Sequence, residues 1–550
     1  MSEEHEDVET KSSDSPEVYQ QTKFMAWFEK AFPWLLVSGA ALGLTFMIIL
    51  PIIFFQEKTG DQLKAQSDLR LALLYTTGGA IAALGLLETY RKNTNDRTKA
   101  NADINAALKN QEHQTKVLKE QIRQFDENAF KERKAERRER YTKAVEQLGD
   151  GKAPVRMGGV YTLVGLVDEW LEEKSLSDDE RFKEGQVIIN NLCAYIRSPF
   201  TLASHYDELS QDSPTPEGIY KDKKEEFYID KAILDSEADV RLSIIKEIHD
   251  RIQGPDKNTP GAWSDFEYDF SGSTFFYPID LTNSYYAKPI NFSDSIYQSR
   301  ADFSGSTYRD EAYFGGSTYQ GGADFSGSTY KDVADFSRST YQGRADFSRS
   351  TYQWASFSDS TYQGWAYFSD STYKSWAYFT GSTYQWANFS DSTYKSWAYF
   401  SDSTYENETN FSGSIFYQET YFGEDGYSNS SSCFTNRAPQ FYDKKKRKNT
   451  LFGSPNNDFT VDIDKGYPID LDSKGIPLNC KFLTSEQKEY LEGKLQEIEK
   501  INNKLFEVKD LAKKTEISEK LRSLNEELHK WRKEATIVKA EDVAAEDTES

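Results

Sequence analysis

Apolar and polar positions change rhythm several times along this chain, and each rhythm predicts a different element. After a mostly polar stretch over 1–30, read as a disordered tail, residues 31–55 carry no charge over 25 positions, enough for the roughly 20 apolar residues of a spanning helix. A second uncharged run over 71–87 is 17 residues long, marginal alone and credible as the return limb of a hairpin. Both limbs hold small residues at close-packing spacing, Gly39, Ala40 and Gly43 in the first and Gly78 and Ala82 in the second. Such spacing lets two helix backbones approach in lipid. The transmembrane hairpin is therefore placed at 31–87. Its first limb starts too late, runs too long and lacks the flanks of a cleaved signal peptide.

From 95 to 148 there is no Pro or Gly, and Ile104, Leu108, Leu118, Ile122, Phe125 and Ala129 recur at helical spacing. This predicts a juxtamembrane helix with an imperfect coiled-coil seam, either an oligomerising stalk or a solvated helix. Lys and Arg are balanced around the first span and dense after the second, through the basic run 131–140. That bias places both termini and everything after residue 90 in the cytoplasm. The basic run itself reads as a headgroup contact or a solvated face. Over 149–260 the apolar positions Val160, Leu163, Val164, Val167 and Trp170, then Ile188, Ile189, Leu192 and Ile196, mark amphipathic helices. Val155-Arg156 is echoed by Val240-Arg241, each read as opening a helix in a way that resembles HEAT-type repeats. Cys193 lies on an apolar face and reads as core, not as a nucleophile.

Between 290 and 422 the chain repeats itself. Phenylalanine recurs at 292, 303, 314, 325, 336, 347, 357, 368, 379, 389, 400, 411 and 422, in steps of 11 with two exceptions of 10, and tyrosine follows most of them five residues later. Two residues before most of these rings stands a small residue, Ala before Phe from 303 to 400 and Ser before Tyr. A spacing of two puts the small residue and the ring on one face of an extended segment. The inward ladder is thus Ala301, Phe303, Ser306 and Tyr308, and so on through Ala345, Phe347, Ser350 and Tyr352 to Ala398, Phe400, Ser403 and Tyr405. Runs this short, separated by Gly, Asp or Ser, are strands and not helices. No single repeat buries its rings, so stability is collective.

This pattern resembles the pentapeptide-repeat family, in a variant whose five-residue units alternate with six-residue ones. The resemblance implies a right-handed, four-sided β-helix over 262–422 with the small and bulky residues turned inward. Two repeats per coil give about six coils and a rod of roughly 30 Å at the strand spacing. Tyrosine at the bulky position departs from the family's usual Leu or Phe, and each phenol then needs a partner or solvent. The segment Glu139-Arg140-Tyr141-Thr142-Lys143-Ala144 and the later Val155-Arg156-Met157-Gly158-Gly159 are similar to the helical segment of bacterial membrane-anchored members, which implies a multi-pass protein of the bacterial cell membrane.

After Phe422 the register dissolves, and 423–483 reads as an irregular cap containing the basic run 444–448. That run reads as a solvated loop or as a lipid or nucleic-acid contact. Thr484 and Gln487 form a capping box, and Ile517, Leu521, Leu524, Leu528 and Trp531 keep heptad spacing, so 484–537 reads as a helical hairpin or coiled coil. The acidic tail 538–550 reads as disordered.

Composition narrows the function. Aromatics are 14% of the chain against 37% for all hydrophobics, with mean hydropathy −0.73, which suits a ring-stacking repeat better than an ordinary enzyme core. Three cysteines and five histidines, all scattered, supply neither a disulfide framework nor a zinc site. No HExxH, no phosphate-cradling glycine loop and no paired nucleophile and base is found, so the expectation is no catalytic, cofactor-binding or metal-binding residue and no cofactor. The acids Asp302, Asp324, Asp335 and Asp346 recur by duplication on an outward face. The leading expectation is a membrane-anchored scaffold presenting a β-helical rod to an unknown protein partner, with homo-oligomerisation through its helices. A charge of −23 makes nucleic acid an unfavoured partner. The first alternative is DNA mimicry toward an enzyme such as gyrase, since 262–422 holds 19 acids against 9 bases. The second is a surface-exposed adhesive or ice-ordering ladder built on ten outward threonines between 307 and 404.

Overall fold

The computed structural model describes residues 16–55, 60–255, 258–424, 428, 430–508 and 511–538. It divides into two compact units, 1–129 and 130–550. In the first, α1 (Pro16–Phe54) starts well before residue 31, so the expected disordered tail is helical from Pro16; residues 1–15 lie outside the described residues. Proline suits a first turn because its missing N–H would be unbonded there. α2 (Gly60–Leu148) is a single helix of 89 residues, so the expected return limb and juxtamembrane helix are continuous. No proline interrupts it, and Gly78, Gly79 and Gly85 sit in an apolar stretch where helical hydrogen bonds persist. α1 and α2 approach closely at Gly43, where a Cβ would stand 2.7 Å from the Thr77 methyl.

In the second unit the end of α2 packs with α3 (Ala153–Leu171), α4 (Asp178–Arg197), the single turn α5 (Tyr206–Leu209) and α6 (Lys224–Ile252). Ser177 and Glu180 close a reciprocal capping box that starts α4. The apolar stripes read from the sequence meet in one core, including Val160, Leu163, Val167, Leu192, Ile196, Ile244 and Ile248. Val240-Arg241 lies inside α6 and does not open a helix. Nothing between Lys224 and Ile252 breaks the helix, and Glu237 and Arg241 pair one turn apart within it.

From Tyr268 to Phe482 the chain winds as a parallel β-solenoid of about seven turns. Most strands are two residues long, and each pairs with the strand 22 or 21 residues away, as in Thr307↔Thr329 and Thr351↔Thr372. Each coil therefore spends two 11-residue periods on four faces. The first face stacks Ile290, Ala312, Ala334, Ala355, Ala377 and Ala398. The second stacks Thr318, Thr340, Thr361, Thr383 and Thr404. The third stacks Ala301, Ala323, Ala345, Ala366 and Ala387, and the fourth Thr307, Thr329, Thr351, Thr372 and Thr393. At the corner before each Thr face stands a residue with left-handed φ, Gly305 (71°), Arg338 (58°) or Asp359 (57°). Gly and Asp tolerate that conformation and Arg does so at a cost.

Inside, identical rings stack from coil to coil, Phe303 on Phe325 at 5.1 Å and 5°, Tyr308 on Tyr330 at 4.6 Å and 2°. Phe columns from the first and third faces meet edge to face, as Phe314 and Phe325 do at 5.0 Å. The inward serines are more than small. The Ser306 N–H donates to Ser328 Oγ at 3.1 Å, and that hydroxyl donates to the Phe303 carbonyl at 3.3 Å. This links coils at corners where the strand ladder is interrupted and leaves no backbone donor unbonded there.

The solenoid does not stop at Phe422, and 423–483 is not merely an irregular cap. Cys433–Phe434 pairs with Thr404–Tyr405, Leu451–Phe452 with Ile415–Phe416, and Lys481–Phe482 with Leu451–Phe452. Phe441 stacks on Phe411 at 5.0 Å. The ladder needs only an inward ring and a short strand at each face, so corner loops lengthen without ending it. α7 (Ser485–Glu507), capped by Thr484 and Gln487, and α8 (Leu511–Ala535) form an antiparallel pair, with Tyr490 against Trp531 at 4.9 Å and Lys494 bonded to Glu527 at 2.7 Å. Their apolar stripe also packs on the solenoid: Leu491, Leu495, Leu524 and Leu528 share one cluster with Ile415 and Leu451.

Candidate interaction surface

The inward ladder is sealed. Ala301, Phe303, Ser306 and Tyr308, Ala345, Phe347, Ser350 and Tyr352, and Ala398, Phe400, Ser403 and Tyr405 are all buried to within 1%. These residues hold the rod together and touch nothing outside it. Burial pushes the phenols of Tyr308, Tyr330 and Tyr373 well above the ordinary tyrosine range. The phenols are sealed from solvent. Tyr352 donates to the Phe347 carbonyl at 3.3 Å, while the hydroxyls of Tyr308, Tyr319, Tyr330, Tyr341 and Tyr362 lie near those of Ser306, Ser317, Ser328, Ser339 and Ser360 without well-formed hydrogen-bond geometry. Stacking fixes the ring planes and hence where each hydroxyl points. A buried ring removing 150–250 Å² from water contributes about 4–6 kcal/mol, which outweighs the roughly 1–3 kcal/mol cost of one unbonded hydroxyl.

Recognition therefore falls to the outward positions, and the four faces differ there. On the second face, the residue after each inward Tyr is Gln320, Gln342, Gln363, Gln385 or Glu406, so half-exposed threonines run beside a neutral glutamine column. On the fourth face the same position holds Arg309, Lys331, Gln353, Lys374 and Lys395. Burial, with Lys374 and Arg309 adding repulsion, holds the Lys331 amine down to about 7. Burial and Lys395 lower Lys374, against the pull of Glu499 on α7. The fourth face is covered at two levels and half-exposed between them, at Thr329, Thr351 and Thr372. Thr307 is 2% exposed beneath Asn258, which accepts its hydroxyl at 2.9 Å, and Thr393 is 1% exposed beneath α8. The ten threonines are thus two columns, one half-exposed throughout and the other half-exposed at Thr329, Thr351 and Thr372 and buried at Thr307 and Thr393.

α8 docks through a charged cluster. Arg532, 4% exposed, donates to Asp370 at 3.2 Å and Thr393 Oγ1 at 3.4 Å and lies 2.9 Å from His529 Nδ1, while Lys448 bonds Asp391 at 2.6 Å. Burial and the Arg532 charge lower the His529 imidazole below its ordinary value despite Asp370 and Asp391.

The first and third faces carry outward aromatics at matching levels. Trp376 stacks on Trp397 and Trp365 on Trp386, both at 5.6 Å, with Trp365 40% exposed, and Tyr378 stacks on Tyr399 at 5.0 Å. Trp397 Nε1 donates to Glu419 at 2.6 Å. The recurring aspartates are corner pieces: Asp302, Asp324, Asp335 and Asp346 each accept the N–H of the serine two residues on, at 2.9–3.1 Å. Their carboxylates are committed to turns.

The helical adaptor holds two further clusters that the sequence only hinted at. Arg156 and Arg241, the two arginines of the echoed Val-Arg pairs, converge on Glu237, at 3.1 and 2.7 Å, and the Tyr195 hydroxyl donates to the same carboxylate at 3.0 Å. The basic run 131–140 is neither a headgroup patch nor a solvated face along its whole length. Arg137 bonds Glu173 at 3.0 Å and lies over Trp170 at 4.7 Å, Arg140 bonds Glu169 at 2.8 Å and Lys134 bonds Glu184 at 2.7 Å. The hydrogen bonds Glu173 accepts from Ser175, Arg133 and Arg137 outweigh its burial, the largest influence acting on it, and hold its carboxyl down to about 2. Cys193, Cys433 and Cys480 are buried, and burial pushes the Cys193 and Cys480 thiols up to about 12. Among the described residues no group of His, Cys, Asp and Glu could hold a metal ion.

Residues 331–372 match the family model described as pentapeptide repeats (9 copies). No curated protein and no solved structure matches the chain.

Proposed function

We propose that this chain, whose residues 331–372 match pentapeptide repeats and whose repeats build a β-solenoid, is a non-enzymatic, membrane-anchored scaffold offering the outward faces of the rod to a protein partner. The observation that carries the scaffold reading is the division of labour within each repeat. The recurring Phe and Tyr of the ladder and the small residue before each are spent on the interior, while most variation falls on outward positions that differ from face to face. Outward Trp and Tyr columns add the aromatic surface that protein interfaces favour.

Two apolar helical stretches support the anchor. Residues Lys30–Phe54 and a window within Gly60–Leu148 are long and apolar enough to cross a membrane, and they leave large side chains such as Leu35, Ile48, Ile52, Leu74 and Leu86 exposed. In water such a surface is costly, and in lipid it is not. The distribution of Lys and Arg around the two stretches supports a cytoplasmic rod. The native cysteines are buried, so sidedness is read from Gln363→Cys, on the exposed second face. An impermeant maleimide should label Gln363→Cys only after lysis; labelling of intact cells would sink the cytoplasmic reading and favour an adhesive surface. A cross-linking pull-down with the full chain then tests the scaffold. Recovery of a defined protein that is lost on Trp376→Ala/Trp397→Ala supports it. Recovery of DNA gyrase, competed by duplex DNA, would favour mimicry instead.

A further inference from the structure

The C-terminal helix pair ends beside the basic run. The Val538 N–H donates to the Arg447 carbonyl at 2.8 Å, the Asn449 N–H donates to the Thr536 carbonyl at 2.9 Å, and Ile537 forms an antiparallel bridge with Lys448. These bonds pin 536–538 to a β-hairpin formed by Tyr442–Asp443 and Lys448–Asn449, whose tip is Lys444, Lys445, Lys446 and Arg447. All four tip residues are exposed. Among the described residues, the ion pair at the tip is Lys446 to Asp443 at 3.9 Å, and one Asp443 oxygen is already accepting the N–H groups of Lys445 and Lys446 at 2.9 and 3.0 Å. On a protein of net charge −23, four adjacent exposed cations are a local reversal of sign.

The sequence that follows Val538 has the complementary charge. Glu541, Asp542, Glu546, Asp547 and Glu549 stand against the single Lys539. These residues lie beyond the described chain, but their point of departure is fixed. The first acid is three residues past Val538, a reach of about 10 Å. A short tether of that kind holds its charges near the tip at an effective concentration of order millimolar. Beside the tip runs an open groove of about 660 Å³ lined by Gln440, Tyr442, Lys444, Lys445, Lys446 and Asn479, with Glu408, Asp443 and Asp470 also on its wall. The three acids repel an anionic occupant and leave the lysine side as the favourable contact.

We infer that the acidic segment 539–550 docks in cis on the basic tip, as the tethered occupant of a site that takes acidic peptide segments. An acidic peptide of a partner competes with it, so the tail sets the threshold for binding at this end of the rod. The inference does not depend on the membrane reading. The attraction is between exposed charges and is screened as the Debye length falls from about 10 Å at 0.1 M salt to about 3 Å at 1 M.

Zero-length carbodiimide coupling of the purified full chain, followed by peptide mapping, tests the contact. An equal mixture of isotopically heavy and light protein separates cis from trans. The expected result is coupling of Lys444, Lys445 or Lys446 to Glu541, Asp542 or Glu546 within one isotopic form, lost at 1 M salt. Absence of those products, or products that are mainly heavy–light hybrids, overturns docking in cis. A chain ending at Val538 keeps the pinning bonds and should retain its β-signal and melting temperature. Its tip lysines should acetylate at least three-fold faster than in the full chain, with exposed Lys174 unchanged. It should also bind octaglutamate at least ten-fold more tightly at low salt. Equal acetylation or equal affinity in the two chains would overturn the competitor role.

Discussion

The second and fourth faces of the solenoid are written with the same Ser-Thr-Tyr motif and differ in what lies above it. Beneath both, Ser and Tyr are buried alike, and the rings stack at similar distances, 4.8 Å for Tyr341 on Tyr362 and 4.7 Å for Tyr373 on Tyr394. Above them, the position after Tyr is glutamine on one face and mostly Lys or Arg on the other. The glutamine face is half-exposed throughout, whereas the cationic face is buried at Thr307 beneath Asn258 and at Thr393 beneath α8 and half-exposed between them. The interior is set by the repeat and the exterior by its exceptions, so a single outward position per coil decides what a face can meet.

The largest effects should fall on the interior and be equal under the two faces. Tyr362→Ala and Tyr373→Ala each remove a buried ring, and each should cost about 3–5 kcal/mol in denaturant unfolding of the solenoid. A difference greater than about 1 kcal/mol would show that the covering helices share in the interior packing. Tyr362→Phe is the sharper variant: it removes a hydroxyl that makes no well-formed hydrogen bond, so stability should change by less than about 1 kcal/mol.

Next in size is the latch. Arg532→Ala deletes the cation that joins α8 to Asp370 and Thr393, and breaking a buried pair typically costs about 3–5 kcal/mol. The 30% exposure of Asp370 reduces this to about 2–3 kcal/mol. Hydrogen exchange should accelerate throughout Leu511–Ala535 and stay unchanged in the strands. On the open face Gln363→Ala should alter exchange nowhere; acceleration there would reveal a cover that the fold does not contain.

The interior was legible in the sequence and the covering was not, for a physical reason. The spacing of Ala301, Phe303, Ser306 and Tyr308 encodes a period, and a period of 11 with two inward pairs leaves little choice of backbone. The bonding role of Ser306 was not readable, because Ala and Ser look alike as small residues until a hydroxyl meets a corner. Continuation past Phe422 was hidden because Phe434, Phe441, Phe452 and Phe459 sit at unequal steps while still filling inward positions. The docking of α8 depends on Arg532 meeting Asp370, which are 162 residues apart, and no local pattern records such a meeting. The basic run 131–140 misled for the same reason, since its acids lie on α3 and α4.

A third prediction separates the faces by pH. Lys331 binds fewer protons folded than unfolded between about 7, its folded value, and its ordinary 10.5. Unfolding then takes up a proton, so stability rises with pH across that window, and below about 7 the full cost of burying the charged amine is present. Discounted for partial exposure, the rise should be about 1 kcal/mol between pH 7 and 9.5. Thermal unfolding should show that slope in the parent and lose it in Lys331→Gln. Gln342→Lys, which writes a lysine at the matching exposed position of the second face, should introduce no slope of its own.

The smallest effects test whether the outward threonines differ only by what covers them. Thr393 is buried and its hydroxyl accepts from Arg532, so Thr393→Val should cost about 1 kcal/mol in the docking of α8, a typical value for one such hydrogen bond. Thr361 occupies the equivalent place on the open face, half-exposed and flanked by Thr340 and Thr383. Valine has the same shape and a comparable preference for strands, so Thr361→Val should change stability by less than about 0.5 kcal/mol. If the full chain bound its partner through the open face, that same silent substitution would weaken capture without moving the melting temperature. Loss of capture with Thr361→Val and retention with Trp376→Ala would relocate the partner from the aromatic columns to the threonine–glutamine face.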